Sequence, residues 1–269
     1  MVAVNVLKFP ISTPADVTPL NRLREAGYDA SQILAVVGKT EGESLCSDSC
    51  CFNQQVYTVL IPSLPGNGCV NDFSRTLASV VWESRIPQNA VTIFSGGTEG
   101  VLSPHVTFLV REEHDTGLVG VVGHTRIFAP HEVGSPEQGR QVAATVAKMM
   151  HKSSISSQDV HLVLVKCPLL TSQKLEAIRA EGQTPTTTGT YESMAKSRYA
   201  SALGIAIALG EMPEAEIESQ MVSEKAWSSK ASCSSGAELE DCRKSLSNSC
   251  CALRLYESAE MFCNLRALV

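Results

Sequence analysis

Two stretches of this chain follow the same plan, and that repetition limits what it can fold into more than any other feature. Ile33-Leu-Ala-Val-Val37 is a short apolar run that reads as a buried strand and delivers Gly38-Lys39-Thr40 at its end. Val160-His-Leu-Val-Leu-Val165 reads the same way and ends in Lys166. After each strand and lysine comes a helix with an early arginine: Arg75 in a helix predicted over 72–82, and Arg198 in an Ala-rich helix predicted over 193–209. After each helix comes a serine turn, Ser95-Gly-Gly-Thr-Glu99 in the first half and Ser234-Ser-Gly-Ala-Glu238 in the second. Repetition of that kind predicts two related α/β units packed about a shared site.

Elsewhere the periodicity predicts strands over 2–9, 91–94, 105–111 and 118–125. It predicts helices over 16–26, with Leu20, Leu23 and Ala26 on one face, over 136–151, capped by Ser135 with Pro136 at its first position, and over 171–181. The Gly-Lys-Thr at 38–40 is not a phosphate loop, because Ile33 stands where that motif needs its first glycine. With 269 residues, 43% of them hydrophobic and 19% charged, the chain has the balance of a globular protein with one or two domains. A formal net charge of −6 argues against nucleic acid as a partner, since phosphate binding needs a basic surface. No segment has the length of a spanning helix, so no membrane partner is expected. The opening MVAVNVLKFPIS lacks a basic segment ahead of its apolar residues and reads as a first strand, which leaves the cytoplasm as the expected location. The ten cysteines do not fall at zinc-ligand spacings, so neither a metal nor a cofactor is expected.

The recurring residues suit acyl chemistry. A serine beside glycines can attack a carbonyl while accessible backbone amides hold the oxyanion that forms. A partly buried lysine at a strand end can serve as its base. Two Ser–Lys dyads are then available, Lys39 with Ser95 and Lys166 with Ser234, while Arg75 and Arg198 offer forked donors to the carbonyl oxygens of a planar substrate. Taken singly, Ser-Gly-Gly is an ordinary turn and a lone lysine a solvated strand end; the weight lies in their recurring together.

The stretches LAVVGKTEG, NGCVNDFSR, SGGTEGVLSPH, DVHLVLVKCPLL, TYESMAKSRYASALGIA and SGAELE resemble the ring-opening amidohydrolases, the cyanuric acid hydrolases and barbiturases. The resemblance runs to about Cys242, leaving out residues 43–66. It implies a pseudo-threefold toroid of three similar α/β domains, each giving one Ser–Lys pair and one arginine to a central site that binds a cyclic imide. By that resemblance Lys166 is the base and Ser234 the nucleophile, while Lys39 and Ser95 form the first unit's pair. Ser95, Gly96, Ser234 and Ser235 are substrate-binding turn positions, and Arg75 and Arg198 bind the imide. The implied partner is a small cyclic imide, and the resemblance leaves room for a homo-oligomer.

Two segments depart from that pattern. Twenty-four residues, 43–66, separate GKTEG from NGCVNDFSR, which adjoin in the family, and after Cys242 the chain continues as RKSLSNSCCALRLYESAEMFCNLRALV. We read both as translated introns. Gly42-Glu43-Ser44 and Arg243-Lys244-Ser245 can be written with a 5′ splice donor and Pro65-Gly66 with an acceptor, and unperiodic loops above ~12–15 residues are uncommon in compact domains. The expected organisation is a first repeat over 1–125 carrying the insert, a second, incomplete repeat over 126–242, an aberrant tail over 243–269, and no third repeat. The expected activity is ring opening of a cyclic amide, impaired in this form. The competing expectation is a non-catalytic two-domain binding protein or an inactive mis-spliced fragment.

Overall fold

The computed structural model describes residues 2–40, 73–96, 103–235 and 260–265. The insert at 43–66 and most of the tail lie outside them. The first half comprises β1 (Ala3–Pro10), α1 (Pro19–Glu25), β2 (Ile33–Lys39), α2 (Phe73–Glu83), β3 (Val91–Ser95) and β4 (His105–Glu112). The second comprises β5 (Val119–His124), α3 (Pro136–Lys152), β6 (Val160–Cys167), α4 (Ser172–Ala180), α5 (Thr190–Ala208), α6 (Ile217–Ser223), β7 (Ala231–Ser235) and β8 (Glu260–Leu265). Among the described helices none is long and apolar enough to cross a membrane.

The strands form one sheet in the order β3-β2-β4-β1-β5-β8-β6-β7. Taken inward from either edge, the order is the same, β3-β2-β4-β1 on one side and β7-β6-β8-β5 on the other. Each half places a parallel pair outside, β2 with β3 and β6 with β7, and an antiparallel neighbour inside it, β4 or β8. Even the irregularities match, since the register slips between Ile33 and Ala35 in β2 and between Val160 and Leu162 in β6. The repeat seen in the sequence is therefore a repeat of topology. Residues 260–265, which the sequence reading put in the aberrant tail, supply the strand that β4 supplies in the first half.

The halves meet edge to edge at a short seam. Ala3 opposes Val119, Val4 N–H donates to Leu118 O at 3.1 Å and Gly120 N–H to Val2 O at 3.2 Å. Beyond the seam the sheet curls so that β3 packs against β6, β7 and β8. Ala35, Val91, Ile93 and Leu109 of the first half form a small apolar layer there with Val122 and Leu164 of the second. Each half also has its own larger core. Trp82 and Phe108 cross at 5.7 Å in the first, and Val142, Val146, Val163, Val165 and Ile205 fill the second. The β2 run is buried on both faces, as its unbroken apolar sequence requires.

Helices α3 and α5 cross closely because two glycines face each other. A Cβ on Gly204 would lie 2.3 Å from the Gly139 carbonyl oxygen and 2.8 Å from Val142 Cβ. The fully buried Gln138 ties the same crossing together, donating from Nε2 to Ser197 O and to Ser201 Oγ, each at 2.9 Å, and accepting from Gly134 N–H at 2.8 Å. Ser135 stands at the N-cap position but, contrary to expectation, its side chain does no capping: its buried Oγ has no partner among the described residues, and Gln138 serves the preceding amide instead.

Helix α1 starts three residues later than its pattern predicts, and Ala26 is its exposed C-cap rather than part of the buried face. The cause is Asp16, whose carboxylate organises the turn ahead of the helix. It accepts from Ser12 N–H and Oγ at 2.9 Å each, and from Thr18 N–H at 3.0 Å and Oγ1 at 2.7 Å. Partial burial pushes this acid up, but the four hydrogen bonds outweigh it and hold the pKa at about 2, below the ordinary 3.8. A depressed folded-state value means that the stabilisation is complete above pH ~4 and is lost as the pH falls toward 2. Asp16→Ala is expected to cost about 1 kcal/mol at pH 7, screening by solvent included, and the gap to the parent should shrink to about a third by pH 2.5 in urea melts. A gap of the same size at pH 7 and pH 2.5 would show that the carboxylate's charge is not responsible.

Candidate functional site

The parallel strand pairs put the recurring residues opposite one another. In β2 and β3, Lys39 is in register with Ser95, and in β6 and β7, Lys166 is in register with Ser234. Both lysines lie at or next to the C-terminal end of their strand, the end at which parallel sheets present their loops.

In the first unit the lysine and serine converge on one carbonyl. Lys39 Nζ donates to Gly96 O at 2.9 Å and Ser95 Oγ donates to the same oxygen at 3.2 Å. Ser95 is exposed, whereas Lys39 is 9% exposed, so a surface serine sits beside a buried lysine. Thr40 fixes the turn from the other side. Its N–H and Oγ1 donate to Ser95 O at 3.0 and 3.3 Å, and Oγ1 lies 2.9 Å from Ser74 Oγ in α2. Arg75 follows Ser74 near the start of that helix and is buried. Thr40 and Ser74 thus connect the serine turn to the arginine, a link the sequence reading missed.

In the second unit Lys166 Nζ lies 3.6 Å from Glu83 Oε1, and Glu83 belongs to α2 of the first unit. Thr92 Oγ1 in β3 donates to the same carboxylate oxygen at 2.8 Å. Arg198 in α5 directs Nε to Met194 O at 3.2 Å, one turn back along its helix. It also lies near Cys233, the residue before Ser234. The Cys233 thiol is pushed well above its usual range, chiefly by a hydrogen bond with Cys167 and then by burial, while the Arg198 charge pulls the other way. Cys167 Sγ in turn lies 3.3 Å from Ser201 Oγ, so helix α5 is bonded to the strand end that carries Lys166. Ser234 and Ser235 are described as backbone of β7; their side chains, and the turn residues at 97–102 and 236–240, lie outside the described residues.

The structure therefore gathers Lys39, Ser95, Gly96 and, through Thr40 and Ser74, Arg75 at one strand end. Lys166, the Ser234 backbone and the Arg198 region gather at the equivalent end. Glu83 and Thr92, which bridge the two, were not singled out from sequence. The available signal was Thr92 itself, a polar residue in the middle of Val91-Thr-Ile-Phe94 and 2% exposed, which must find a hydrogen-bond partner.

The family model of amidohydrolase ring-opening proteins matches residues 5–64 and 52–249. A cyanuric acid amidohydrolase of Sarocladium sp is 58% identical over 244 residues, covering 90% of this chain and 64% of that protein. One of Rhodococcus sp is 45% identical over 239 residues, covering 87% and 60%. Among solved structures, the cyanuric acid hydrolase described as an evolutionary innovation by structural concatenation superposes with a TM-score of 0.77 at 33% identity. It covers 99% of this chain and 68% of that one. The enzyme from A. caulinodans gives 0.78 at 32%, with the same coverage. The chain thus spans less than two thirds of the length of these two curated relatives. A family match that takes in both units, together with identities of this size over both of them, makes the chain a member of the ring-opening amidohydrolases.

Proposed function

We propose that the chain opens the ring of a cyclic amide or imide of the cyanuric acid or barbituric acid type, with Lys166 as base and Ser234 as nucleophile. The observation that carries this reading is the register of Lys166 with Ser234 at one end of the sheet, repeated by Lys39 with Ser95. The names borne by the Sarocladium and Rhodococcus relatives support the substrate class.

Lys166 takes the hydroxyl proton of Ser234 as the serine oxygen bonds to a ring carbonyl carbon. The oxyanion that forms is held by turn amides, and one such donor is worth ~2.7–4 kcal/mol of barrier. As the intermediate collapses, the C–N bond breaks and the ring nitrogen leaves with the proton from Lys166. A water then repeats the sequence on the acyl-serine: Lys166 takes its proton, the hydroxide oxygen bonds to the carbonyl carbon, and Ser234 departs with the proton returned. Arg75 and Arg198 grip the carbonyl oxygens of the flat ring, and Lys39, Ser95 and Gly96 form the opposite wall. The resemblance implies three sets of lysine, arginine and serine, and two are present here. Turnover should therefore be slow, because positioning governs many orders of rate.

The test is ring opening of cyanuric acid and of barbituric acid by the purified chain beside Ser234→Ala. Slow turnover by the parent that vanishes in the variant is the expected result. A variant as active as the parent overturns the assignment of the nucleophile. Tight binding of the imide with no turnover in either protein favours a non-catalytic binding protein on the same fold.

A further inference from the structure

We propose that Glu83 is the positioning residue of Lys166: its carboxylate holds the amine in place and balances the charge gained when the lysine takes the serine proton. The inference rests on the reading of Lys166 and Ser234 as base and nucleophile.

Three observations carry it. First, the contact is close and sheltered. Glu83 Oε1 and Lys166 Nζ are 3.6 Å apart, with side chains 17% and 14% exposed, where a charge pair is screened less than at an open surface. Second, Glu83 is itself held, because the buried Thr92 Oγ1 donates to Oε1 at 2.8 Å. Thr92, Glu83 and Lys166 thus form a chain in which the base is oriented by a third group, the logic of nucleophile–base–orienter sites in general. Third, Glu83 is not part of the repeated plan. Eight residues after Arg75 stands Glu83, whereas eight after Arg198 stands Ala206, fully buried in α5. A residue needed only to build the repeat would recur in it. Glu83 comes from one unit and meets the lysine of the other.

The chemistry is consistent with a role in which the carboxylate takes and gives no proton. As the Ser234 hydroxyl proton moves to Lys166 Nζ, an ammonium forms 3.6 Å from a carboxylate that stays ionised. A carboxylate at that range offsets the charge that the arriving proton brings to the amine, and so favours the state in which the serine oxygen has attacked.

The experiment compares the chain with Glu83→Gln, which keeps an acceptor for Thr92, and with Glu83→Asp, which keeps the charge. Acetic anhydride labels neutral amines, and peptide mass spectrometry gives a separate rate for each lysine, so the reading does not depend on turnover. Lys166 should be acetylated about fivefold faster or more in Glu83→Gln, because the amine is no longer held against the carboxylate, and at an intermediate rate in Glu83→Asp, with Lys39 within about twofold of the parent throughout. In parallel, kcat for ring opening should fall about 10²-fold in Glu83→Gln while KM stays within about threefold, with partial recovery in Glu83→Asp. An unchanged Lys166 labelling rate in Glu83→Gln overturns the proposal, and so does a rise in which Lys39 joins, since that reports general loosening. So does a kcat in Glu83→Gln equal to the parent's where Lys166→Ala has lost turnover. If Lys166→Ala keeps turnover while the labelling contrast stands, the hold of Glu83 on Lys166 survives and the dyad reading is what fails.

Discussion

Lys166→Ala should lower ring opening by about 10³-fold, the loss expected when a base that activates a weak nucleophile is removed. The alanine also leaves Glu83 without the amine beside it, in a site where both side chains are mostly covered. The protein will therefore be somewhat less stable, and the rate comparison must be made well below its melting temperature. Added primary amines of small size should restore part of the rate in proportion to their concentration, because they supply a diffusible base to the space the side chain vacates. Lys39→Ala should be milder, about tenfold, because Lys39 acts on the turn: its Nζ bonds Gly96 O, which Ser95 Oγ also uses. Equal losses at Lys39 and Lys166, with no amine rescue of either, would mean that the two lysines share one structural role.

Gly204→Ala should be the most damaging single methyl in the described fold. The new Cβ would sit 2.3 Å from the Gly139 carbonyl oxygen, and that atom is backbone in the middle of a helix, so it cannot swing aside as a side chain would. The α3–α5 crossing has to open, which also pulls Gln138 away from Ser197 and Ser201. Overpacking of this kind costs about 3 kcal/mol or more, before any loss of the buried hydrogen bonds is added. Gly139→Ala is the useful comparison. Its Cβ meets the tip of Ile217 at 2.7 Å, which can rotate, as well as Ala200 O at 3.0 Å, so a smaller loss is expected. Chemical denaturation of the two variants decides the matter, and equal, small losses would show that the helices part easily.

The sequence was informative where the physics is local or repeated. The apolar runs ending in Lys39 and Lys166 announced their strands, and the recurrence of lysine, arginine and serine announced the pairing that β2–β3 and β6–β7 display. It was less informative where a side chain competes with the backbone pattern. Asp16 looked like the start of a helix and is spent on the turn before it, and Ser135 looked like a side-chain cap but makes none, while Gln138 reaches back to the amide of Gly134. Short elements with weak periodicity, such as α6 and β8, left no clear mark. The bridge from Thr92 through Glu83 to Lys166 was out of reach for a different reason. It joins residues of two units that only the curl of the sheet brings together, and a repeat-based reading attends to what the halves share rather than to what one lends the other.

The seam between β1 and β5 has an evolutionary consequence. A junction of one opposed pair and two flanking backbone bonds asks little of the strands it joins, so a copied unit can be appended, lost or exchanged without shifting the register of any strand inside its neighbour. Gene duplication can therefore lengthen such a chain in whole modules, and selection is left to refine only the few side chains that face across each new border.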